Sequence, residues 1–117
     1  MTIKEKITDN VAVLTLSGDL VSEADTSKLK DKIHSLVADK MKCVVVDMSG
    51  IDYINSTGLG TLISVLTTMR SAGGDLRLAR LGERVENLFV ITKLVKIFDT
   101  YETVNRAIAS YNAKEPK

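Results

Sequence analysis

Cys43-Val44-Val45-Val46 is an uninterrupted apolar run, short enough for a strand and suited to a sheet covered on both faces. It leads through Asp47-Met-Ser-Gly-Ile-Asp-Tyr-Ile-Asn-Ser-Thr-Gly-Leu-Gly60 into a second apolar segment. There Leu59, Leu62, Ile63, Leu66 and Met69 recur at helical spacing. A central strand turning directly into an amphipathic helix restricts the chain to a layered α/β arrangement. Ser56 falls where the strand pattern has ended and the helix begins. Serine is a favoured N-cap, because its oxygen accepts a hydrogen bond from a first-turn amide. The same place suits an added phosphate, since free amides and the positive end of the helix dipole favour an anion. Local sequence alone therefore reads Ser56 as a cap, a regulatory site or both.

The flanking segments extend this unit. Ile3–Thr8 alternates weakly as an edge strand, Asp9-Asn10 signals a turn, and Val11–Leu16 is a strong strand ended by Gly18. Ser22–Ala38 reads as a helix, with Ser22 and Asp25 as a capping pair and Leu29, Ile33, Leu36 and Val37 as its apolar stripe. The second helix, Ser56–Ala72, is stopped by Gly73-Gly74. Leu76 and Leu78 mark the next strand, with Leu81 at its exit, and Gly82–Thr92 a shorter helix. Leu94–Phe98 is expected to be a brief extended piece. Thr100–Tyr111 is expected to be a final amphipathic helix with Val104, Ile108 and Tyr111 on one side. Residues 1–111 are thus expected to form one domain, and 112–117 a polar tail holding the only proline.

Composition removes several functions. With 117 residues there is room for one compact domain, and a formal net charge of +1 with interspersed signs offers no nucleic-acid tract or polybasic membrane patch. No apolar run reaches the roughly 20 residues of a membrane-spanning helix. A single cysteine, Cys43, excludes an internal disulfide, and with no signal peptide a reducing cytoplasm is expected. Cys43 and the only histidine, His34, lie far apart without metal-ligand spacing. His34 lies off the apolar stripe of the first helix and shows no sign of pairing with Ser56. Asp19, Asp47 and Asp52 are scattered acids of a kind usually solvated. Gly58-Leu-Gly60 is only the start of a glycine-rich turn, and no Walker sequence exists. These two glycines read either as close packing at the helix start or as an opening for a partner beside Ser56.

Asp47-x-Ser49-x-x-x-Tyr53-Ile54-Asn55-Ser56-Thr57-Gly58-Leu59-Gly60 resembles the signature of STAS domains, specifically bacterial anti-sigma factor antagonists. Leu16-Ser-Gly-Asp-Leu20, and Arg84-Val-x-x-Leu-Phe89 through Lys96-Ile-Phe98, extend the resemblance over nearly the whole chain. It implies a small α/β domain with a mixed sheet of four or five strands and about four helices. It also implies that Ser56 is the phosphorylated serine, with Thr57 the adjacent hydroxyl residue. The implied partner is an anti-sigma factor, or a related serine kinase of the GHKL fold that uses ATP, with a PP2C-type phosphatase to reset the switch. The implied protein is not an enzyme, needs no cofactor of its own, and is a monomer when free.

Val21, Ser22, Tyr53, Ile54, Asn55, Thr57 and Gly58 are the residues expected to meet the partner. Val21, Tyr53 and Ile54 read either as an apolar docking patch or as side chains of which at least one fills the core. Two departures bear on the partner: Asn55 stands where many relatives have Asp, and Val21 where many carry an acid. Two other readings stay open. One is a STAS regulatory subunit or scaffold of a transporter or signalling complex. The other is a small nucleotide-binding or hydrolytic enzyme.

Overall fold

The computed structural model describes residues 1–112. A hairpin comes first, β1 (Thr2–Thr8) and β2 (Val11–Ser17), in antiparallel register from Thr2 opposite Ser17 to Thr8 opposite Val11. Its two-residue turn, Asp9-Asn10, has both φ angles positive, at 51° and 66°. That is the backbone hand that matches the twist of a tight hairpin, and Asp and Asn tolerate it. Then follow α1 (Glu23–Ala38), β3 (Cys43–Gly50), α2 (Ser56–Ser71), β4 (Asp75–Ala79) and α3 (Glu83–Ile91). A 3₁₀ turn (Leu94–Lys96), β5 (Thr100–Tyr101) and α4 (Val104–Asn112) complete the described chain. The five strands lie in sequence order, β1-β2-β3-β4-β5, and every pairing after the hairpin is parallel. This bears out the mixed sheet of four or five strands with about four helices that the resemblance implies.

Alternation along the strands divides the core. Leu14, Leu16, Val44, Val46, Leu76 and Leu78 point to the face covered by α1, α2 and α3. Leu29, Ile33 and Leu36 come down from α1, and Leu62, Val65, Leu66 and Met69 from α2. The expected α2 stripe shifts slightly: Val65 is buried, whereas Leu59 and Ile63 are only partly so. Val11, Val13, Val45 and Ala79 point to the other face, where Ala107 and Ile108 of α4 cover them. Val44, Val45 and Val46 are each 0% exposed, so β3 is buried on both sides as its unbroken apolar run demands.

Three expectations about the last third need correction. Leu94–Phe98 is not extended; Leu94–Lys96 is a 3₁₀ turn, which buries Leu94 and sets the Phe98 ring 5.7 Å from that of Phe89. The extended piece is Thr100–Tyr101, because the Leu78 amide donates to Asp99 O and the Arg80 amide to Tyr101 O. The final helix consequently starts at Val104, with Thr103 Oγ1 accepting the Arg106 amide. Asn112 belongs to this helix and donates from Nδ2 to Ile108 O. The remainder of the expected tail, 113–117, lies outside the described residues.

Candidate functional site

The end of β3 and the start of α2 are joined by a loop pinned from below. Ile51 and Ile54 are buried, and Asp52 and Tyr53 between them face outward. The Leu20 amide donates to Tyr53 O over 3.2 Å, and Leu20 and Ile54 form an isolated parallel bridge. The loop after β2 is thereby fastened to the loop after β3. Both lie at the carboxyl ends of parallel strands, the usual place for a functional crevice in an open α/β sheet.

Asp47, the last residue of β3 paired with β4, is 5% exposed. Its Oδ1 accepts the Ser49 amide at 3.0 Å, and its Oδ2 lies 3.4 Å from the Arg80 guanidinium. Asp47 therefore shapes the loop rather than joining a ligand set. Asp19 and Asp52 are exposed, His34 is exposed on α1, and no group of three metal-capable side chains occurs among the described residues.

Ser56 does not cap α2. Asn55 does: it is extended at φ −107°, and its Oδ1 accepts the Gly58 amide at 2.9 Å. Its Nδ2 donates to Val21 O at 3.0 Å. One amide side chain thus closes the helix end and ties it to the neighbouring loop, two jobs that a serine hydroxyl is too short to combine. Ser56 is the first helical residue, exposed, and its hydroxyl has no hydrogen bond among the described residues. Asparagine is as good a cap as serine. The signal that would have found the true cap is the spacing of Asn55 from Gly58, the usual reach of a cap to its third amide.

The remaining expected contact residues fall into separate environments. Thr57 is exposed, and its carbonyl accepts the Thr61 hydroxyl. Val21 is half-buried. Ser22 is exposed but occupied as the α1 cap: Oγ accepts the Asp25 amide at 3.1 Å and donates to the Asp25 carboxylate at 2.8 Å. That hydroxyl, followed by the terminal ammonium of Met1 at 3.1 Å, holds the Asp25 carboxyl below its ordinary range. Ile54 is 4% exposed and belongs to the core, so the expected patch of Val21, Tyr53 and Ile54 is reduced to the first two.

The two glycines separate as well. A Cβ on Gly58 would collide with the Leu20 carbonyl oxygen and stand 2.6 Å from Ile54 Cγ1, so close packing accounts for this glycine. A Cβ on Gly60 would meet nothing within 4 Å, so here the helix backbone is open.

Tyr53 also forms one wall of a groove of about 310 Å³ that the motif does not announce. Ile54, Arg84, Leu88 and Ile91 complete most of its lining, and its surface is mainly apolar. Tyr53 is 51% exposed and Ile91 76%.

A mixed five-stranded sheet in sequence order, with helices on both faces, matches one known class of domain. The STAS domain model matches residues 2–107, and the chain belongs to that family. It is 29% identical over 98 residues to the anti-sigma-B factor antagonist of Listeria monocytogenes, covering 83% of each chain. The crystal structure of an anti-sigma factor antagonist from Mycobacterium paratuberculosis superposes with a TM-score of 0.83 at 24% identity, covering 96% of this chain and 94% of that one. The Bacillus cell fate determinant SpoIIAA in its phosphorylated form shares the fold at a TM-score of 0.72 and 15% identity, covering 94% of this chain and 99% of that one.

Proposed function

We propose that this chain is an anti-sigma factor antagonist: it binds an anti-sigma factor through the Ser56 end of α2, and phosphorylation of Ser56 breaks that contact. One observation carries the reading. Ser56 is exposed with an unengaged hydroxyl, because Asn55 has taken over the capping role. A kinase can therefore take the hydroxyl without dismantling the helix end. The names of the relatives support the partner class, and the phosphorylated form of SpoIIAA supports modification as the control.

The chemistry at Ser56 is a change of charge. A phosphate brings about −1.5 to −2 charges at neutral pH. At the first helical position it faces the amide-rich, positive end of α2, so the fold tolerates it. A partner surface that has desolvated this helix end does not. Loss of about 2.7 kcal/mol of binding energy weakens a complex roughly a hundredfold. Only such a difference between the two forms can switch the complex. ATP and its metal belong to a GHKL-type serine kinase, which is the anti-sigma factor itself or a relative. A PP2C-type phosphatase restores the hydroxyl. The chain acts by binding rather than turnover, and as a monomer when free. No helix among the described residues is long and apolar enough to cross a membrane.

The test uses the anti-sigma factor that co-purifies with this chain from native cells without ATP, identified and then expressed alone. Adding ATP should place one phosphate on Ser56, read by peptide mass spectrometry, and release the complex. Ser56→Ala should stay bound in ATP, and Ser56→Asp should bind more weakly than the parent by calorimetry. Phosphate on Thr57 alone, or a Ser56→Asp complex as tight as the parent that ATP never dissolves, would leave a constitutive scaffold instead.

A further inference from the structure

Among the described residues, four of the six large apolar side chains that stand exposed lie within eight consecutive residues: Val90 at 57%, Ile91 at 76%, Val95 at 42% and Ile97 at 43%. They surround the corner where α3 ends. Thr92 and Lys93 close that helix by donating to Leu88 O and Val90 O, with Lys93 in the left-handed region at φ 63°. The corner is fixed rather than frayed, since Leu94 and Phe98 beneath it are buried and Phe98 meets Phe89. Lys93 and Lys96 sit among the four apolar side chains, and neither forms an ion pair among the described residues. From Asn87 to Phe98 the chain holds these two cations and no acid.

We propose that this corner is a docking surface for an acidic, amphipathic segment of the anti-sigma factor, a second contact beyond the Ser56 end of α2. It rests on the reading above that such a protein is the partner. Continuity supports the same occupant at both places. Ile91 belongs to the corner and also lines the groove whose opposite wall is Tyr53, in the loop that leads to Ser56. A partner seated on Ser56 and Tyr53 meets Ile91 next. The chemistry of the occupant follows from the surface: branched apolar side chains need apolar counterparts, and two unpaired lysines need carboxylates beside them. Valine and isoleucine are already stiff, so ordering them on binding costs little.

Two other occupants fit less well. A second copy related by a two-fold axis would bring the same cationic patch against itself. An anionic membrane is usually held by about four to eight basic residues in one cluster; this corner has Lys93 and Lys96, with Arg70 donating to Ile97 O beside them but already paired with Asp75.

The experiment titrates the purified anti-sigma factor into the parent, into Lys93→Glu with Lys96→Glu, into Val95→Asp with Ile97→Asp, and into Ser56→Asp. All four corner positions are exposed, so the variants should melt with the parent. Each corner variant should bind at least about tenfold more weakly, and charge reversal should flatten the salt dependence. Lysines in place of the partner's matching acids should restore binding to the reversed variant. The inference fails if the corner variants bind as tightly as the parent while Ser56→Asp does not. If the parent binds no anti-sigma factor, the inference falls together with the proposed function. Sedimentation with phosphatidylserine–phosphatidylcholine vesicles, or self-association of the parent, lost in the corner variants would assign the surface to a membrane or a second copy and overturn the proposal.

Discussion

At the scale of single residues, Asn55 and Ser56 have exchanged the roles that position alone suggests. Asn55→Ala removes both the bond to Gly58 and the bond to Val21. It should cost about 0.5–2 kcal/mol for the cap alone. Ser56→Ala breaks no bond and should stay within about 0.5 kcal/mol of the parent. Urea melts of the two variants decide, and equal losses would return the cap to Ser56. Gly58 and Gly60 make a second pair. Gly58→Ala drives a methyl against the Leu20 carbonyl and Ile54, and should destabilise by about 1–3 kcal/mol or more. Gly60→Ala enters open space and should stabilise α2 by up to about 1 kcal/mol. If the partner uses the open backbone there, Gly60→Ala weakens binding while raising the melting temperature. Weaker binding from a more stable fold cannot come from a damaged core, so that outcome would place the contact at Gly60 itself.

Among the elements, α4 shows how a short helix of nine residues is held on a sheet. Val104, Ala107, Ile108 and Tyr111 face Val11, Val13, Val45 and Ala79. Tyr111 adds polar anchoring: its hydroxyl donates to Val44 O at 2.8 Å, and the Arg77 guanidinium lies 4.0 Å from its ring centre. Arg77 also donates to the Ser110 hydroxyl and to Asp75. Burial first, then the nearby Asp75 carboxylate, pushes the Tyr111 phenol well above its ordinary value of 10.0. Because the folded pKa is raised, this contribution is complete below about pH 10 and is lost as pH climbs toward the folded value. Stability should therefore fall in that alkaline window. Tyr111→Phe should remove that part of the slope while costing about 1 kcal/mol at neutral pH for the lost hydrogen bond. Denaturant midpoints followed from neutral to alkaline pH would show it, and an unchanged slope would mean that Tyr111 titrates freely.

The same helix marks where the sequence was legible. Val104, Ile108 and Tyr111 stood out by period, as did the strands of β2 and β3, because burial on one or both faces writes a local pattern. Thr100–Tyr101 did not, since a two-residue strand is defined by its neighbour β4 and not by its own residues. The turn at Leu94–Lys96 was missed for a related reason. A short apolar run reads alike whether extended or coiled, and here the decision is made by Phe89 beneath Phe98. At the candidate site the motif marked Ser56, but the capping bond of Asn55 and the groove beside Ile91 depend on loops brought together only by the fold.

For the whole molecule, the sheet order governs what each edge and face must do. Among the described residues β1 is an edge strand with no partner on its outer side, and Lys4, Glu5 and Lys6 are exposed along it. Charges on an edge oppose its pairing with another chain. Strands laid down in sequence, joined by crossovers of one hand, send their connecting helices to one side of the sheet. Hence α1, α2 and α3 share a face, and among the described residues the opposite face is covered by α4 alone. That division also sets a schedule. On the ribosome the strands and the first three helices emerge before residue 104, so one layer can form while the other face of its sheet is still bare. Val11, Val13, Val45 and Ala79 then remain wet until the final helix arrives, and the nascent domain carries an adhesive surface for that interval. A chain halted after Glu102 should reproduce this state, binding a hydrophobic dye that the longer chain ignores and recruiting general chaperones that the longer chain releases.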